Sequence, residues 1–274
     1  MDRSAIDAIV ELALRADGTR SLDTLTPTVI LHTNEGERIV SLEPYGAGRT
    51  RFRGTYATGS LPSFIAQVLA NVDGRGKVDG FIEPEKMQAV VFFNLGTAVS
   101  PGHGDHRSTL TLKKTAAFAS LLTAVSRPHT QRSLAEWIED WREFLTPVTD
   151  GQPNGDTIAK VIAAVRDITV KTAREVTNVE RDLGTTTSAM ASIDAQSKHV
   201  LPEGFLFETE PYAGLPKRTF TLRLGSQSSD DKIVLTLRIQ QAESIDEKIA
   251  QDFEKVLRDG LGDTANLSLG TFSV

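Results

Sequence analysis

The chain has 274 residues, 39% hydrophobic and 24% charged, with a formal net charge of −6 and no cysteine. That length suits one large domain or two ordinary ones with a core that needs no metal or disulfide, and the missing cysteines exclude disulfides, zinc thiolate sites, iron–sulfur clusters and thiol nucleophiles. Residues 1–150 carry 16 Lys and Arg against 18 Asp and Glu, and the remainder 14 against 18, so no basic domain is set aside for a polyanion.

The opening residues M-D-R-S-A-I put an acid where a signal peptide would need apolar residues. The apolar runs fall short of a membrane span. The expectation is a cytoplasmic protein with no membrane partner. Residues 4–16 place Ile6, Ile9, Val10, Ala13 and Leu14 on one face of an amphipathic helix. Such a helix packs on its own domain or on a neighbouring subunit, which makes Ile6 and Ile9 candidates for an oligomer interface.

Residues 28–33 and 38–42 read as strands around a turn at 34–37. Residues 49–56 then alternate, with Arg49, Arg51 and Arg53 on one face of a predicted strand and Phe52 on the other. Three arginines in line would suit a nucleic-acid backbone; the favoured reading is a solvated face or a strand edge protected by charge. A helix opens at Ser60 with Pro62 in its first turn and runs to about residue 71. Strands at 78–82 and 87–95 follow, and the continuous run Ala89–Phe93 predicts a strand central in its sheet.

Residues 101–107 concentrate chemically capable side chains. His103, Asp105 and His106 fall within four positions beside glycines. They would serve as metal ligands for a hydrolase, or as a base with its orienter. A short loop supplies too few ligands alone, and no H-E-x-x-H or other second ligand motif exists, so a turn held by side-chain hydrogen bonds is favoured. No phosphate loop, nucleophile elbow or kinase signature is present. The expectation is therefore no catalytic residues and no cofactor.

Helices are predicted at 115–125 and 131–145. In the second, Leu134, Trp137, Ile138, Trp141 and Leu145 form a stripe, with Trp137 and Trp141 belonging to the core or to a subunit interface. Residues 146–155, rich in Pro and Gly, read as a linker. A long helix over 156–179 follows, then extended residues at 183–193. Clean alternation at 204–208, 218–224 and 232–240 predicts antiparallel strands, with an amphipathic helix at 244–258 as their cover and a last strand at 265–274.

Several stretches carry a resemblance: G-T-Y-x-x-x-S-L-P-S-F-I (Gly54–Ile65), F-F-N (Phe92–Asn94), H-G-D-H-R (His103–Arg107) with the following L-x-L-K-K-T, and F-x-F-E-x-x-P-Y (Phe205–Tyr212). Together they resemble the YfdQ-like proteins of phages and prophages over nearly the whole chain. The resemblance implies phage origin and a role inside the infected cell. It hands over no catalytic residues.

The expected architecture is α+β: two antiparallel sheet-plus-helix units, 1–148 and 155–274, linked by a long central helix and free to pack as one body. The expected function is non-enzymatic, a homo-oligomer acting through assembly or through a host or phage protein partner. The alternatives are a metal-dependent hydrolase at His103, Asp105 and His106, and a nucleic-acid-associated factor using Arg49, Arg51 and Arg53.

Overall fold

The computed structural model describes residues 6, 8–9, 19–22, 24, 26–33, 36–72, 76–149, 151–153, 158–168, 201–229 and 232–273. The protein is α+β, and its described residues form three sheets. Its two compact units are residues 1–54 and 55–274.

In the first unit, β1 (Thr19–Leu22), β2 (Thr28–Thr33) and β3 (Gly36–Ser41) form an antiparallel sheet in that order. The register pairs Ile30 with Ile39 and Val29 with Val40. Neighbouring pairs point to opposite faces, so the apolar residues are divided between two faces and neither is a full core. Val29, Ile30 and Val40 are half-buried, and Ile39 is 69% exposed. Ile6, Ala8 and Ile9 are helical, as their spacing predicts; the rest of the expected 4–16 helix lies outside the described residues.

The second unit holds two five-stranded sheets. One uses β4 (Gly54–Thr58), β5 (Val78–Glu83), β6 (Gln88–Phe92), β7 (His106–Thr111) and, from far along the chain, β13 (Ala265–Leu269), in the order β13-β5-β6-β7-β4. The apolar run of β6 is central, as its composition predicts. Gly80, Ile82, Ala89, Val91, Ser108 and Leu110 are buried on one side of this sheet. On the other, Phe272 stacks on Phe81 at 4.9 Å and meets the edge of Phe92 at 5.8 Å. Gly80 has no room for a side chain: a Cβ there would lie 2.6 Å from Leu267 Cδ2.

The other sheet is antiparallel, with β8 (Leu145–Thr149), β9 (Gln152–Pro153), β10 (Gly204–Thr209), β11 (Arg218–Ser229) and β12 (Lys232–Ile239) in the order β12-β11-β10-β8-β9. Its register sets Phe205 opposite Leu222 and Phe207 opposite Phe220, and all four are essentially inaccessible. Helices α2 (Ala116–Val125) and α3 (Gln131–Asp140) pack against β12, and α4 (Ile158–Arg166) packs against β8 and α3. Thr115 and Thr130 cap α2 and α3, the latter in a reciprocal capping box with Ser133. Helix α1 (Leu61–Asn71) is capped by Ser60 and packs against β7 and α5 (Ala242–Leu261).

Six expectations about the fold are corrected. The sheets are not both antiparallel: β13 runs parallel to β5. A parallel neighbour needs a crossover, and α5 supplies its last leg. Residues 146–155 contain strands β8 and β9 rather than a linker, folded back at Gly151 with φ +70°. Stretches placed on either side of that linker share sheets, since β8 pairs with β10 and β5 with β13. Helix α3 stops at Asp140, and Leu145 already begins a strand. Helix α4 stops at Arg166, where Gln131 Nε2 donates to the carbonyl of Arg166, left unpaired at the helix end, and to that of Ile168 beyond it; the expected continuation past residue 168 and the extended stretch 183–193 lie outside the described residues. The cover over β12 comes from α2 and α3, while α5 is tied to β11 by the Arg218–Asp252 ion pair at 2.5 Å. Periodicity marks the apolar stripe of a helix but does not name the surface that receives it.

Ser108 gives a test of this packing. Its hydroxyl is fully buried on β7 with no hydrogen-bond partner among the described residues. An unsatisfied buried hydroxyl costs stability and a methyl does not. Ser108→Ala is expected to raise unfolding free energy by about 1 kcal/mol, measured by urea denaturation; a loss of that size would show that the hydroxyl has a partner in solution.

Candidate functional site

The loop between β6 and β7 is organised by Asn94. Its carbonyl accepts from Gly104 N–H at 3.1 Å, its Oδ1 accepts from His106 N–H at 3.0 Å, and its Nδ2 donates to Asp105 Oδ1 at 2.9 Å. Gly102 N–H donates to Leu95 O at 2.8 Å, and Thr97 and Ser100 close a tighter turn above it. Gly96 has φ +75°, a conformation that suits glycine. A Cβ on Gly102 would overlap the Asn94 carbonyl.

The three candidate ligands are thereby separated in role. His103 is exposed. Asp105 is half-buried and bound to Asn94. His106 lies against Phe93, ring centres 4.5 Å apart, and burial pushes its pKa below the ordinary histidine value while Asp105 opposes that shift. Among the described residues no group of three or more His, Asp or Glu side chains is placed to hold a metal ion. Arg107 sits over the Phe92 ring, 6.0 Å from its centre, and donates to Thr55 Oγ1 at 3.1 Å.

The arginine strip is corrected in geometry. Strand β4 begins at Gly54, so Arg49, Arg51 and Arg53 precede it and do not line one strand face. The cause is Glu43, the one buried residue among those of 1–54 whose burial is described. Its Oε1 accepts from Thr50 N–H and Thr50 Oγ1, each at 2.9 Å, and its Oε2 pairs with Arg53. Arg49 is exposed and donates to Arg53 O at 3.1 Å, while Arg51 is half-buried. The alternation of charge and apolar residues was real, but a loop folded onto a carboxylate consumes it.

Glu43 also gives a pH prediction. The Thr50 hydrogen bonds, backbone first, favour the carboxylate and hold its pKa below the ordinary value of 4.5, with Arg53 adding to them and burial opposing. A depressed carboxylate contributes stability that is complete above its unfolded pKa and lost as pH falls through the folded one. The Thr50 amide resonance in NMR is therefore expected to titrate with a midpoint below 4.5, and Glu43→Gln to abolish that titration. A midpoint at or above 4.5 would show the bonds absent.

The expected interface residues divide. Ile6 and Ile9 are 46% and 59% exposed. Trp137 lies in the core, one of its two expected places: it is 8% exposed, stacks on Phe207 at 5.9 Å and donates Nε1–H to Ser120 Oγ at 3.0 Å. Phe207, from a strand distant in sequence, covers its ring. Trp141 is half-buried and tilts against Phe144.

A second feature has no counterpart in the sequence reading. A groove of about 760 Å³ runs along α5. Met87, Phe118 and Ile249, all buried, supply apolar lining. Glu243, Asp246 and Glu247 recur at three- and four-residue spacing along α5 and line it too. Lys114 and Tyr212 also line it, joined as an antiparallel bridge. Thr115 locks that bridge: its N–H donates to Pro211 O at 3.1 Å and its hydroxyl to Glu210 O at 2.6 Å. Met87 has φ +53°, an uncommon conformation for a residue with a side chain. Burial, then Glu243, raises the Asp246 pKa, with Lys114 opposing; burial, then Asp246, raises that of Tyr212. These residues come from four separated stretches. The available signal was the pair of motifs L-K-K-T and P-Y, which meet at the bridge.

Fold and surface together define a three-sheet α+β protein with a hydrogen-bonded loop and an acid-lined apolar groove. The chain belongs to the family described as uncharacterized conserved protein (DUF2303), which it matches over residues 2–272. Comparison with the curated proteins and with the solved structures returns no match. Among the described residues no helix is long and apolar enough to cross a membrane.

Proposed function

We propose that this chain is a non-enzymatic phage or prophage protein that works as a homo-oligomer inside the infected cell, with residues 1–54 supplying the contact between copies. One observation carries the reading. In this unit Ile39, Leu42 and Tyr45 are 69%, 38% and 84% exposed, and the one buried residue described is a glutamate. A three-stranded sheet of this size gains little from folding unless an apolar face is covered. A second copy offers the same surface, and self-complementary pairing of one patch is the commonest route to a symmetric assembly. The phage setting rests on the resemblance to YfdQ-like proteins.

Light scattering on the size-separated full-length chain at micromolar concentration is expected to give a multiple of its 29.8 kDa mass. The double variant Ile39→Asp/Tyr45→Asp is expected to give the single-chain mass with circular dichroism unchanged. A wild-type chain that runs as a monomer ends the proposal.

A further inference from the structure

We propose that the groove beside α5 receives a basic, amphipathic peptide segment of another protein, with apolar side chains on Met87, Phe118 and Ile249 and lysines or arginines against Glu243, Asp246 and Glu247. The two properties of the groove point to the same occupant. Its floor is apolar and already preformed, since the three floor residues are buried by the fold itself. Its rim carries five acids, Glu85, Glu243, Asp246, Glu247 and Glu254, against one lysine, Lys114. The other acids of α5 are paired within the chain: Asp252 with Arg218, Glu254 with Arg258 and Asp259 with Lys255. Glu243, Asp246 and Glu247 have no Lys or Arg within ion-pair distance among the described residues.

Like charges three and four residues apart on a helix repel. The helix dipole offsets this only in the first turn, and of the three only Glu243 lies there. The arrangement is therefore unfavourable in isolation and favourable once cations arrive. Extent separates a peptide from a small amine. Lining residues on α5 run from Glu243 to Glu254, about 16 Å at 1.5 Å per residue. That is the length of three helical turns or about five extended residues. Apolar anchors flanked by complementary charge are the usual means by which a groove takes a helix.

The test uses the full chain and a fluorescein-labelled 14-residue helical peptide of leucine and lysine, read by anisotropy. A leucine and glutamate peptide of the same pattern is the control. The lysine peptide is expected to bind and the glutamate peptide not to. Glu243→Lys/Asp246→Lys/Glu247→Lys is expected to weaken binding by about tenfold or more. The equal charge reversal Asp140→Lys/Glu143→Lys/Glu208→Lys, on exposed residues away from the groove, is expected to leave it within about threefold. Ala250→Trp fills the trough without altering charge and is expected to weaken binding comparably, which keeps the test valid if the triple variant fails to fold. Equal losses in both charge-reversed proteins, no response to Ala250→Trp, or displacement of the peptide by spermidine at matched charge would each overturn the proposal.

Discussion

Phe207→Ala is expected to cost about 3–5 kcal/mol of folding stability, a large share of the roughly 5–15 kcal/mol that holds a typical protein folded. Phe207 is fully buried on β10. Trp137 stacks on it at 5.9 Å and Phe144 at 5.6 Å, so truncation empties a space bounded by two flat rings that cannot collapse into it. The penalty is the lost transfer of the ring plus the cavity left behind. Both tryptophans of the chain lie beside this cluster, so their emission reports the change directly. Urea unfolding followed by tryptophan fluorescence is expected to show a lowered midpoint with a red-shifted native spectrum. A loss under about 1 kcal/mol, the range of surface substitutions, would mean that the stack is not formed in solution.

Gly204→Ala is expected to be comparably severe although it adds a single methyl. Strand β10 is the middle strand of its sheet, and Gly204 sits opposite both Arg223 of β11 and Val148 of β8. A Cβ there would overlap the carbonyl oxygen of Leu222. That atom is backbone, so relief requires moving β11 away from β10. Overpacking in a rigid site costs about 1–3 kcal/mol, and displacing a ladder places this substitution at the upper end or above. The check is thermal unfolding alongside Gly151→Ala, where a Cβ meets nothing within 4 Å. Gly151→Ala carries only the strain of its positive φ. If both variants melt together, the close approach at Gly204 is wrong.

Local pattern carried most of the elements. Alternation found β11 and β12, the unbroken run placed β6 in the centre of its sheet, and Pro62 after Ser60 marked the start of α1. These signals are read within a dozen residues, where side-chain period and caps act. Pairings over long separation were not legible. Nothing near Ala265 announces a parallel neighbour at Val78, and the breakers of 146–155 served a tight turn between two strands rather than a hinge. The loop at 101–107 was legible as a turn held by side chains, but its organiser, Asn94, precedes it and was marked only as the end of F-F-N. The Arg49–Arg53 pattern misled because one carboxylate, Glu43, overrode the alternation. The groove was not legible as a groove because its walls come from five separate stretches.

The parallel partner of β5 has a cost in time. Val78 waits for Ala265, roughly 190 residues downstream; at about 5–20 residues per second a ribosome takes on the order of 10–40 s to deliver it. Throughout that interval one flank of β5 has its amides and carbonyls open, a template for any passing strand. The nascent chain meets this hazard with Asp79, Gly80 and Glu83 on the waiting strand, two charges and a residue poor at pairing. Neutralising those two acids should therefore harm the yield from the cell more than the melting temperature of what is recovered.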